Sequence, residues 1–209
     1  MLVNDIRDRI VELSHQSSGD GAVQAKALGW LNAAYMELMN ELLAFAPQAL
    51  QRTETVSVST TGLAALSVPP NRILRVLVDG VPVPMVRTLD LLEADPTQTA
   101  TGTPELCAMV AGGVQLQPRQ SGTAVVLFVP QPVTLGEGGA ESSILLAPSF
   151  HDALVWGGLV WSSLFERGFA SASELALFGR QWQEAKARIK LALLHTAGAA
   201  LRVAPGFQD

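Results

Sequence analysis

Three histidines and one cysteine are the side chains of this sequence whose proton chemistry lies nearest neutral pH. His151 and Asp152 are adjacent, and Ser149 stands two residues before the histidine, as close as the chain comes to a nucleophile, a base and an orienting acid. Neighbours on a helix point about 100° apart, so this spacing does not align them as a relay. The trio reads as polarity at a helix start. His15 falls in a turn cluster, and His195 near a helix C-terminus, where the helix dipole favours a cation. Cys107 lies in the apolar stretch LCAMV and reads as a small buried hydrophobe. A lone cysteine makes no intrachain disulfide and no multi-cysteine metal site. There is no G-x-S-x-G elbow and no H-E-x-x-H pair. GEGGAES and AGGVQ lack the spacing of a phosphate cradle. The sequence thus offers no catalytic residue, no metal ligand and no cofactor site.

The elements that would position any site fall into three parts. Val3, Ile6, Ile10 and Leu13 form one stripe of an amphipathic helix, ended by the turn cluster SHQSSGDG. Leu28, Leu31, Tyr35, Leu38, Leu42 and Phe45 repeat at 3-4-3-4-3 in a second helix, which Pro47 stops. From Thr53 to Ala147 the pattern changes. TETVSVST alternates, with Val56 and Val58 on one face, and about six short apolar runs follow, each bounded by Gly, Pro, Asn or Asp. Ten of the twelve prolines lie between Pro69 and Pro148, where they suit strand ends and edges. This predicts a small antiparallel sandwich or barrel, with Leu135 to Ser142 as an exposed, mobile loop.

Helical signals return at Pro148. One helix runs through Phe150, Leu154 and Trp161 to Gly168. The next opens with a capping-box spacing, Ser171 and Glu174, carries Leu175, Phe178, Trp182, Ala185, Ile189 and Ala192, and stops at Gly198. Gly157 and Gly158 stand inside a helix, where glycine costs about 1 kcal/mol relative to alanine. A neighbouring helix packed closely against that backbone is the reason expected for them. The fold expected is therefore α+β. A helical bundle from both chain ends (residues 1–52 and 148–198) carries an inserted β domain (53–147), and an extended tail follows (199–209).

The charge balance excludes some partners. The chain of 209 residues has 14 Lys+Arg against 19 Asp+Glu, a net charge of -5, which disfavours a basic nucleic-acid binder. Charged residues are only 16% and hydrophobic ones 48%, so much of the surface should be covered, most simply by copies of the same chain. The apolar run Ala153 to Phe165 is too short for a bilayer, and the N-terminal stretch lacks the apolar core of a signal peptide. Thr53 to Ala147 holds eight acids and four arginines, whereas Ala172 to Arg202 holds two acids and five cations. Pairing of the basic helix with the acidic sheet of a neighbouring copy makes Arg180, Lys186, Arg188 and Lys190 inter-subunit candidates. Nucleic acid is the weaker reading, because those cations lack interleaved aromatics.

The order of segments carries a resemblance. Trp30-Leu31-Asn32 with Tyr35, T-E-T-V-S-V, LSVPPN and R-V-L-V-D-G are followed by Gly102-x-Pro104, strand ends at Pro118 and Pro130, and P-S-F-H-D-A-L before a long helix. From about Val3 to Thr196 the chain resembles the head-to-tail adaptor (connector) proteins of tailed bacteriophages and gene-transfer particles. Leu106 stands where that family would carry an aromatic. The resemblance implies a non-enzymatic virion protein at the head–tail interface, assembled in the host cytoplasm. It implies a ring, usually of twelve copies, beneath the portal, which extends the DNA channel and meets tail or nozzle proteins. DNA would pass through the lumen without sequence-specific binding, and no membrane is involved. It further implies a C-terminal segment docked on the portal, with Leu201, Val203 and Phe207 as apolar anchors and Arg202 as a charged contact. The alternatives are another ring-forming tail protein (stopper, nozzle or tube subunit) and a small β-domain enzyme or ligand-binding module. The single aromatic of the β region, Phe128, gives little support to sugar stacking.

Overall fold

A computed structural model of the chain describes residues 1–15, 20–139, 144–165 and 170–200. It is an α+β protein of two compact units, Met1–Ala49 with Pro132–Asp209, and Leu50–Gln131.

The first unit is helical. Helix α1 (Val3–Leu13) buries Val3, Ile6 and Ile10, the stripe read from the spacing, while Leu13 stays partly exposed. Helix α2 (Gly21–Phe45) starts at Asp20, whose carboxylate accepts the Ala22 N–H at 2.8 Å, and ends two residues before Pro47. It buries Trp30, Leu31, Tyr35, Leu38 and Leu42, but Phe45 lies largely exposed. A 3-10 turn at Pro148–Phe150 leads into α4 (His151–Phe165), numbered after a short helix α3 (Thr88–Ala94) in the other unit. Helix α5 (Ala172–Ala200) opens with the expected capping box. The Ser171 N–H and hydroxyl each donate to Glu174 at 2.7 Å, and the Glu174 N–H donates back to the Ser171 Oγ at 3.3 Å. The helix continues past Gly198 to Ala200, so that glycine is not its terminator. Gly168 lies outside the described residues.

Helix α4 packs against α1, α2 and α5. Its two glycines sit where neighbours come closest. A Cβ on Gly157 would stand 2.7 Å from the Ala34 Cβ and 3.0 Å from Cη2 of Trp182, and one on Gly158 would collide with Cδ1 of Ile10. The segment after Pro132 also belongs to this unit; within the expected loop Gly136, Glu137 and Gly138 are exposed, whereas its first residue, Leu135, is anchored. Asn32 binds Leu135 in both directions, its amide donating to the Leu135 carbonyl at 3.0 Å and its Oδ1 accepting the Leu135 N–H at 2.6 Å. Leu135 is buried. Arg7, itself buried, reaches Glu137 at 3.0 Å, and Asn4 accepts the Gly138 N–H at 3.0 Å. One turn along α2 from Asn32, the Tyr35 hydroxyl accepts the Leu145 N–H at 3.2 Å. Both ends of the segment are therefore held on α2; its residues 140–143 lie outside the described residues.

The second unit is a seven-stranded antiparallel sheet. Its strands are β1 (Arg52–Val58), β2 (Leu63–Ala65), β3 (Pro70–Val78), β4 (Val81–Val83), β5 (Leu106–Val110), β6 (Gly113–Gln117) and β7 (Gly122–Pro130), in the order β4-β3-β7-β1-β2-β6-β5. The edges come together just past β4. The Cys107 N–H donates to the Pro84 carbonyl at 2.9 Å and the Val86 N–H to the Cys107 carbonyl at 2.9 Å, so the sheet is a nearly closed barrel. Closure satisfies backbone groups that an open edge would leave exposed. Val56 and Val58 point inward together with Ile73, Val76, Val126 and Phe128. Helix α3 is absent from the sequence reading. In seven residues only Leu91 becomes fully buried, too little for a 3-4 repeat to stand out among strands and prolines.

Candidate functional site

The groups with reactive potential are dispersed. His151 is fully buried with Nε2 donating to the Leu146 carbonyl at 3.1 Å, whereas Asp152 turns outward to Arg9 at 2.6 Å. Their divergence follows from adjacency on a helix. His15 is exposed, 3.7 Å from Glu174, and His195 is exposed on α5. Cys107 is buried with its sulfur 3.4 Å from the Pro84 carbonyl oxygen, and burial pushes its thiol up to about 11. Little thiolate exists there at neutral pH. Phe128 is buried and offers no face for stacking. Among the described residues no three of His, Cys, Asp and Glu are grouped to hold a metal ion.

Helix α5 has more to offer, and its two faces differ. The inner face carries Phe178, Trp182, Ala185 and Ile189, all buried, and beside them Lys186. That ammonium lies 2.8 Å from Glu37 and 2.6 Å from Glu41 on α2, and 5.2 Å from the centre of the Trp182 ring. Lys190 joins Glu41 at 2.8 Å and stands over the ring of Phe45, and the Trp161 indole N–H donates to Glu37 at 2.9 Å. Burial alone would raise the Glu41 carboxyl, but its hydrogen bonds and charge contacts with Lys186 and Lys190 outweigh that and hold it below its ordinary value. Burial opposes the charge on Lys186 too, and its hydrogen bonds to Glu37 and Glu41 lift its pKa above the ordinary value regardless.

The four cations grouped by the sequence therefore separate. Lys186 is engaged inside its own bundle and Lys190 at its margin. Arg180 is exposed, 3.8 Å from Glu184, and Arg188 is exposed with no ion pair among the described residues. The signal for this arrangement was present in the sequence: Glu37 and Glu41 are spaced by four, as are Lys186 and Lys190, two matching pairs on facing helices. On the outer face, Leu177, Arg180, Glu184, Ala187, Leu191 and Leu194 recur at 3-4-3-4-3, all exposed. Leu191 is 59% and Leu194 48% accessible. The helix thus has a second stripe, leucine at its ends and charged at its middle, that its own fold leaves uncovered.

The family model described as SU10 adaptor protein matches residues 1–204. The chain belongs to the SU10 adaptor protein family. This is a family of phage head-to-tail adaptors, so the adaptor is a structural protein of bacteriophage particles that meets other head or tail proteins. A search of curated proteins returns no match. The matched span takes in Leu201, Arg202 and Val203 and stops before Phe207. All four lie outside the described residues. No described helix of the adaptor is long and apolar enough to cross a membrane.

Proposed function

We propose that this adaptor assembles into a ring, of twelve copies, beneath the portal, where it continues the DNA channel and receives tail or nozzle components. The family match over residues 1–204 carries this reading. In it the protein acts by binding and not by catalysis, at the head–tail interface of the virion after assembly in the host cytoplasm. The outer stripe of α5 supports a flank contact between copies, since a closed ring of heterologous interfaces covers such a face on every subunit. Arg180 and Arg188 supply the exposed charge for that contact. Lys190 lies at its margin, and Lys186 secures the helix from behind. The net charge of -5 suits a conduit through which DNA slides, because each retained cation–phosphate contact adds affinity and drag.

The C-terminal segment is the proposed portal anchor, with Leu201, Val203 and Phe207 entering apolar pockets and Arg202 a charged one. Deleting Leu201–Asp209 should abolish co-purification with the portal while the circular dichroism and melting of the adaptor stay those of the full chain. Undiminished portal attachment by the shortened chain would refute the anchor.

A further inference from the structure

The barrel unit carries a polar cleft of about 510 Å³, lined by Thr60, Thr101, Thr103, Gln120, Ser121 and Arg119 among others. Two strand-like segments build it. The Arg119 N–H donates to the Ala100 carbonyl at 2.8 Å and the Gly102 N–H to the Arg119 carbonyl at 3.1 Å, which sets residues 100–102 beside 118–120. The stem of Arg119 lies against the β1–β2 turn, where a Cβ on Gly62 would come within 3.1 Å of the Arg119 Cγ. Gly62 has a φ of +78°, so the turn and the close approach both call for glycine.

Two residues that line this cleft each hold a buried side-chain atom with no hydrogen-bond partner among the described residues, Nε of Arg119 and Oε1 of Gln120. The first is a charged donor. The second is an acceptor, because the Gln120 Nε2 is the atom that faces the Asp79 carboxylate, at 3.5 Å. No carboxylate lines the cleft, yet two flank it: Asp79, and Asp95, which accepts the Ala100 N–H at 2.9 Å and bonds the Gln117 amide. A polyanion laid across this surface meets both of them. A single carboxylate meets the guanidinium and the hydroxyls, and a phosphodiester has no N–H to give Gln120. A peptide bearing an acidic side chain has both groups.

We propose that the cleft is a docking point for an aspartate or glutamate of a partner protein, the carboxylate accepting from Arg119 and a nearby peptide N–H donating to Gln120. Backbone and Arg119 Nε–H resonances of the full chain would be followed during titration with N-acetyl-glutamate amide. The same titration would be run with N-acetyl-glutamine amide, inorganic phosphate and a short DNA duplex at fixed ionic strength. Saturable shifts at Gly102, Ser121 and Arg119 with the glutamate probe are expected, with binding at least about tenfold weaker for the glutamine probe, as loss of one charge-assisted hydrogen bond implies. Arg119→Gln should lose binding to the same extent, and Arg119→Lys in part, with the resonances of Val126 and Phe128 unmoved to show an intact barrel. Absence of saturation with the glutamate probe would overturn the proposal. So would shifts produced only by phosphate or DNA, or binding that survives in Arg119→Gln.

Discussion

Gly157→Leu should lower the melting temperature of the helical unit by roughly 10 °C, a loss of about 3 kcal/mol or more. Two effects of opposite sign compete at this position. Replacing a mid-helix glycine gains about 1 kcal/mol of backbone entropy and propensity. Against it stands the space: the first atom added already lies 2.7 Å from the Ala34 Cβ, which is fixed to the α2 backbone, and 3.0 Å from the rigid Trp182 ring. Leucine adds three further carbons to that gap, and overpacking wins. Gly158 provides an internal comparison, because its nearest obstacle is the terminal Cδ1 of Ile10, which a rotamer change can move. Gly158→Ala should therefore be milder than Gly157→Ala. Ala34→Gly should recover part of the Gly157→Ala loss and nothing of the Gly158→Ala loss. Melting curves of the four single variants and the two double mutants decide the matter, and an unchanged Gly157→Leu would contradict close packing of α4 on α2.

Lys186→Met should cost about 2–4 kcal/mol. Removing one partner of a buried ion pair leaves the other charge poorly solvated, at 3–5 kcal/mol for full burial. Glu37 and Glu41 are each about a third accessible, and water takes up some of that charge, so the lower part of the range applies. Adding Glu37→Gln and Glu41→Gln to Lys186→Met should return part of the loss, since the one charge of the cluster then left without its partner, the Lys190 ammonium, is about a third accessible and is solvated by water. A further loss on adding them would show that the pairs are not the source of the stability. The pH dependence has a definite sign. Glu41 is held below its ordinary 4.5, so its contribution is complete above that value and fades as pH falls through its lower folded value. Lys186 is raised above 10.5, so its contribution is complete below that value and fades as pH rises through its higher folded value. The stability gap between the natural chain and Glu41→Gln should accordingly be full at neutral pH and close on acidification below 4.5.

What the sequence made legible was whatever repeats locally. The stripes of α1, α2 and α5 stand at helical spacing because each helix buries one face along its length, and Ser171 with Glu174 forms a self-contained cap. The paired prolines and alternating valines sufficed for a β region. Contacts between distant segments left weaker traces. Nothing around Leu135 shows that Asn32 will grip it, because that bond joins residues 103 apart. Glycine and glutamate in that stretch resemble a free loop until Arg7 and Asn4 are placed beside them. Gly198 looked like a stop because glycine favours helix ends, yet the helix runs through it. Net charge along α5 carries no information about which cations turn inward, and Lys186 turns to Glu37 and Glu41 while Arg180 and Arg188 stay exposed. The cleft at Arg119 comes from three segments far apart in sequence and has no local signature at all.

On the proposed reading the adaptor resides in the particle at one copy per portal subunit. Quantitative mass spectrometry of gradient-purified particles, calibrated against their portal and major capsid proteins, tests it most directly. The ring account predicts adaptor copies equal to the portal's and far fewer than the capsid's. Particles that lack the chain, or carry it at capsid-like abundance, would contradict it.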